Sequence, residues 1–89
     1  MNTHPQATLR TRTDEATLLA LIERVLKLPP GSISEHSDIH STRRWDSLRH
    51  MVLMASIERD YGIELSDGEI AAATSVAKIR QILRDHGRY

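Results

Sequence analysis

There is no phenylalanine in this chain of 89 residues, and aromatic side chains make up only 3% of it. A core must therefore be assembled from Leu, Ile, Val, Met and Ala. That palette favours helices, because sheets draw heavily on β-branched and aromatic residues. The length allows one domain, which buries about 60–65% of the surface its unfolded chain would expose. One modest core fits that size. A deep catalytic cavity is hard to place beside it.

The apolar residues recur at helical spacing in three places. From Asp14 to Leu28 the stripe is Leu18, Ile22 and Val25, widened by Leu19, Leu21, Leu26 and Leu28. Thr13 is the expected N-cap, Asp14 and Glu15 suit the positive end of the helix dipole, and Pro29-Pro30-Gly31 ends the run. From Ser47 to Tyr61 the residues Leu48, Met51, Val52, Leu53, Met54, Ala55 and Ile57 cover more than half the helix circumference, so some apolar surface is left over for contact. Gly62 stops that helix. Ser66-Asp67-Gly68-Glu69 reads as a capping box for a short helix, Glu69 to Ala73. Thr74 or Ser75 caps a last helix with the stripe Val76, Ile79, Ile82 and Leu83, closed by His86-Gly87. The long stretch between the first two helices has no period. Ile33 and Ile39 are expected to pin it to the core, with Trp45 closing it over the interior. Little apolar area anchors it, which predicts a soft segment.

Function classes narrow quickly. Basic and acidic side chains balance at 12 each, whereas nucleic-acid binders usually carry a basic excess for phosphate contacts. A DNA reading through Arg43, Arg44 and Arg49 also fails on the second helix, which is too apolar to lie in a groove. With no cysteine, disulfides, thiolate catalysis and cysteine metal sites are excluded. Nothing resembles a secretory core or a membrane span. Residues 1–12 are too short and too weakly amphipathic for a transit peptide. The expectation is a cytoplasmic monomer with a flexible tail over 1–12, a domain over 13–86 and a C-terminal tail over 87–89. The five histidines show no metal-ligand spacing on a shared helix face, and the loop set His36, Asp38 and His40 is a weak candidate.

Trp45-Asp46-Ser47-Leu48 is the segment that carries chemistry. Ser47 is placed at a helix start, where unpaired backbone N–H groups and the dipole favour an anion. It is a candidate attachment point for a phosphate-linked group. As an isolated triplet, Asp46-Ser47-Leu48 would more often be read as a plain helix cap. A hydrolase reading takes Ser47 as nucleophile and His50 as base. It lacks an oriented base with an oxyanion hole and the G-x-S-x-G elbow.

With Ile57-Glu58, Asp60-Tyr61-Gly62-Ile63-Glu64-Leu65, Ser66-Asp67-Gly68-Glu69-Ile70 and Thr74-Ser75-Val76 following in order, residues 14 to 85 resemble the acyl carrier protein family and its peptidyl relatives. The resemblance implies an all-α, four-helix bundle with a short third helix and a long loop between the first two. It implies 4′-phosphopantetheine esterified to Ser47 by a separate phosphopantetheinyl transferase, with an acyl or aminoacyl thioester loaded by a ligase or synthase. A terminal thiol on that arm explains how a chain without cysteine does thiol chemistry. Such a protein is a substrate and shuttle, not an enzyme. Asp46 would cap and orient the turn, Leu48 and Met51 border the arm, and Val52 and Ala55 face partners. An unmodified adaptor of the same fold is the alternative.

Two departures from the family pattern stand out. Arg43 and Arg44 precede the serine turn and Arg49 and His50 follow it, where typical members carry acids along the second helix. Charge complementarity steers partner choice, so a carrier insulated from acid-reading enzymes and kept for a dedicated pathway is expected. Arg44 and Arg49 would then be partner-facing, and reversing their charge would alter partner rates with salt dependence. The second departure is Trp45, with Arg44 where a glycine is frequent. Free-standing carriers with this Trp often serve specialised metabolites or modified surface sugars.

Overall fold

The computed structural model describes the backbone of residues 6–89 and the side chains of residues 16–89. Among these residues it holds four helices, α1 (Gln6–Leu26), α2 (Ser47–Tyr61), α3 (Asp67–Ala72) and α4 (Val76–Asp85). Strand-like pairing in this part of the chain is confined to an isolated bridge between Asp38 and Ser75. The all-α bundle with a short third helix is as expected.

The largest difference lies in α1. It begins eight residues before the expected Asp14, so Thr13 lies inside helical backbone and is not the N-cap. No Gly or Pro occurs between Gln6 and Leu28, so nothing local halts the helix at Thr13. Part of the expected tail is therefore helix, and its residues 1–5 lie outside the described chain. At the other end α1 stops at Leu26, two residues short of the expected Leu28. Lys27 adopts φ 60°, and Leu28 and Lys27 donate backward to the carbonyls of Glu23 and Arg24 at 2.9 and 3.3 Å. This is a glycine-type helix end built with a lysine. Left-handed backbone costs an L-residue about 1–2 kcal/mol, part of which glycine returns as unfolded-state entropy. Lys27→Gly is expected to stabilise the domain by about 0.5–1 kcal/mol, read as a raised urea midpoint. A lowered midpoint would show that the lysine stem packs.

The other helices carry the caps their sequences dictate, although α3 begins at Asp67, two residues before the expected Glu69, and ends at Ala72, one short of the expected Ala73. Gly62 closes α2 at φ 66° and its N–H reaches the Glu58 carbonyl. Ser66 and Glu69 form the full capping box on α3, and Ser75 caps α4 by accepting from the Lys78 N–H. Gly87 at φ 73° lets Gly87 and Arg88 donate to Arg84 and Leu83. The three C-terminal residues, expected as a tail, thus fold back on α4, where Arg84 lies over the Tyr89 ring at 5.6 Å.

The core is aliphatic apart from Trp45. Leu18, Leu21, Ile22 and Leu26 of α1 meet Leu53, Met54 and Ile57 of α2 and Val76, Ile79 and Leu83 of α4, with Ile33, Trp45 and Ala73 completing it. Ile33 is buried and Ile39 half-buried, as their anchoring role requires. Polar ties also fasten the long loop. Glu23, itself buried, turns Oε2 to accept the N–H groups of Gly31 and Ile33 at 2.9 and 3.0 Å. Ile39 donates to the Thr74 carbonyl and Val76 to that of Ser37, which stitches the loop to the start of α4.

Candidate functional site

Asp46 is the N-cap of α2, and Ser47 is the first residue in the helix. One Asp46 carboxylate oxygen accepts the Arg49 N–H at 2.8 Å and the other accepts the Arg49 guanidinium at 3.2 Å. The backbone bond above all, helped by the nearby guanidinium charge, holds this carboxyl below its ordinary range. The Ser47 side chain is exposed, and no hydrogen bond holds its hydroxyl among the described residues.

His50 lies one turn further on, and its ring is fully committed. The Trp45 indole Nε1–H donates to Nδ1 at 3.0 Å. Because an indole N–H can only donate, Nδ1 must be the acceptor and the ring proton resides on Nε2. That Nε2–H donates to the Ile70 carbonyl at 2.8 Å. The two rings stack with centroids 6.2 Å apart. His50 is buried and ties α2 to α3 and the loop, so it is not placed as a general base for Ser47. The hydrolase arrangement is not assembled.

An open groove runs from Ser47 between α2 and α3, walled by Ile39, His50, Met51, Ile70 and Thr74. Its walls are mostly apolar, with the Thr74 hydroxyl and Asp67 at the edge. These features suit a flexible, phosphate-linked arm. The exposed hydroxyl offers a point of attachment, the helix start favours the diester anion, and the groove gives the arm a surface to lie on.

The other predicted residues fall into two groups. Leu48, Met51 and Val52 are exposed by 74, 54 and 50%, and Ala55 is exposed beside them. Their spacing puts them on one face of α2, the apolar surplus read from the sequence. The arginines are less free. Arg49 is paired to Asp46. Arg44, exposed overall, donates Nε to the Leu26 carbonyl at 2.9 Å and so caps the C-terminus of α1. Its φ of 69° accounts for the glycine expected there. The acids of α2 are also engaged: Glu58 accepts the Leu65 N–H at 2.8 Å, and Asp60 pairs with Arg59 and Arg24.

The loop set of His36, Asp38 and His40 does not converge. Asp38 Oδ1 accepts from the His40 N–H and from both the N–H and hydroxyl of Ser41, all at 2.9 Å. The Ser41 bonds lower its carboxyl range. Among the described residues no group of three His, Cys, Asp or Glu side chains is placed to hold a metal, and no helix is long and apolar enough to cross a membrane. Sequence reasoning missed Glu23 and the bridging role of His50. In each case the partners lie outside the local window, 10 and 20 residues away in their longest bonds.

Comparison with known proteins agrees with this geometry. The chain is 26% identical over 76 residues to the polyketide-8 synthase acyl carrier protein 2 of Streptomyces avermitilis, covering 85% of this chain and 87% of that protein. Residues 16–83 match the family model described as the phosphopantetheine attachment site. A match that reaches all four helices and encloses Ser47 settles the family: the chain belongs to the acyl carrier proteins, whose members bear 4′-phosphopantetheine on a serine.

Proposed function

We propose that Ser47 is the attachment serine of a discrete carrier that shuttles an acyl intermediate, as a thioester on the arm's thiol, between enzymes of a specialised cytoplasmic pathway. The observation that carries this reading is the exposed, unbonded Ser47 hydroxyl at the start of α2, opening onto the groove between α2 and α3. When attached, the group supplies the thiol that the chain itself lacks. The likeness to a polyketide carrier favours an acyl over an aminoacyl cargo. The protein acts here as a substrate, since the histidine nearest Ser47 is bound on both ring nitrogens.

Partners are read through the apolar face of α2. Every acid on that helix is satisfied within the fold, and Arg44 and Arg49 are spent on the α1 terminus and on Asp46. The surface left to an incoming enzyme is Leu48, Met51, Val52 and Ala55. Such a face selects partners with a complementary apolar patch over those that offer only basic residues.

The test is intact-mass spectrometry of wild type and Ser47→Ala after incubation with coenzyme A and a promiscuous phosphopantetheinyl transferase. One phosphopantetheine on wild type and none on the variant is expected, with both equally folded because a surface hydroxyl contributes little. A folded wild type that stays unmodified would transfer the reading to an adaptor that works without the arm.

A further inference from the structure

We propose that His50 is a positioning residue that keeps the tethered cargo in the surface groove and out of the core. The inference rests on Ser47 carrying the arm, and it is argued from how α3 is held. None of the residues of α3 is buried. Its apolar anchorage is limited to half-buried Ile70 and the buried C-cap Ala73, so polar ties carry a large share of its positioning. The His86 ring donates to Glu69 at 2.9 Å near its start. The Ile39 N–H reaches the Thr74 carbonyl just past its end. Between them the His50 Nε2–H holds the Ile70 carbonyl at 2.8 Å. Of these three ties, the one from His50 lies in the wall of the groove that also contains Ser47.

Beyond that wall lies a small apolar void, partly open to the surface and lined by Met54, Ile57, Leu65, Ala73, Ile79, Ile82 and Leu83. It has room for about one water. Met54 follows His50 by one helical turn and Ala73 follows Ile70 by three residues, so the void lies one turn deeper along both elements. An alkyl chain passing from Ser47 into the interior has to part α2 from α3 at the His50–Ile70 bond and widen the void behind it. The ring cannot simply rotate aside, because its other nitrogen is held by the indole of buried Trp45. Trp45 thus orients the ring, and the ring fixes the helix. With the seam closed, the cargo remains in the groove between Ile39, Met51 and Thr74, accessible to partner enzymes.

Two measurements test this. In the first, hydrogen exchange is followed on the unloaded protein, so that it does not depend on the arm. His50→Leu keeps apolar volume but removes both ring bonds, and His50→Gln retains an amide N–H for the Ile70 carbonyl. Exchange across residues 66–74 is expected to quicken about tenfold in His50→Leu, the scale of losing one or two neutral hydrogen bonds, and to recover in His50→Gln. The α4 amides should stay at wild-type rates in both, which separates local release from general unfolding. Equal rates at 66–74 in wild type and His50→Leu would overturn the pin. In the second, a solvatochromic naphthalene fluorophore is attached through a pantetheine arm. Its emission on wild type should be at most slightly blue of the free conjugate in water, as in an open groove, and His50→Leu should shift it much further to the blue. A wild type already shifted as far as a buried dye, or a His50→Leu form that matches wild type, would overturn the exclusion of cargo. Failure of the fluorophore to attach would instead count against Ser47 as the arm's site, and the exchange result would still decide whether His50 pins α3.

Discussion

Glu23→Ala is expected to remove about 2–4 kcal/mol of folding stability, the largest loss we foresee for any single polar side chain. One carboxylate oxygen accepts the N–H groups of Gly31 and Ile33, and bonds to a charged acceptor contribute about 1.5–3 kcal/mol each before overlap is discounted. Alanine removes the acceptor and leaves the Ile33 N–H unpaired in a buried place, which adds a desolvation cost. For a domain of this size that is a shift of roughly 10–25 °C in Tm. Glu23→Gln retains an amide oxygen that can serve the same donors, so it should recover most of the loss. Calorimetry of the three proteins decides the matter. A loss below about 1 kcal/mol for alanine would mean that water satisfies both N–H groups equally well.

The double variant Leu48→Ala, Met51→Ala should raise the KM of phosphopantetheinyl transfer on the order of 30-fold while leaving kcat within a small factor. Interface side chains outside the few dominant hot spots cost about 1 kcal/mol each when truncated, so the pair together gives about 2 kcal/mol, and these two are among the most exposed large apolar side chains of the domain. Truncating an exposed side chain changes stability little, so the melting curve should hardly move. The effect should persist as salt is raised from 50 to about 500 mM, because apolar contact is not screened as ion pairs are. Steady-state kinetics at two ionic strengths would show this. An unchanged KM, or an effect that vanishes with salt, would assign recognition to charged residues outside this face.

The sequence made the end of each later helix legible because the determinants are local. Asp46, Gly62, the Ser66–Glu69 box and Ser75 each act within a turn of their own position, and each is found doing so. The start of α1 was misread for the same reason. Thr13 followed by two acids has the composition of a cap, yet composition does not stop a helix whose preceding residues also tolerate one. What depends on α2 alone was legible: the place of Ser47 at the helix start and the exposure of Leu48, Met51, Val52 and Ala55. The site was not legible where side chains reach across the fold. The structural role of Arg44, whose Nε reaches the Leu26 carbonyl 18 residues away, had no local signal. His50 read as a potential base because neither Trp45 nor the Ile70 carbonyl can be paired with it by helical spacing. Glu23 gave no signal at all, since a glutamate near the end of a helix is ordinary unless the loop beyond it is known to return.

Trp45 is the sole tryptophan of the chain. It lies two residues before Ser47, and its indole N–H is bound to His50. The emission of an indole depends on its hydrogen bond and on how tightly it is enclosed, and here both belong to the seam beside Ser47. The protein thus carries a single-tryptophan optical reporter next to that residue. Attachment of the arm, release of α3 and the approach of an enzyme can each be followed in real time on unlabelled carrier, with no second tryptophan to obscure the signal.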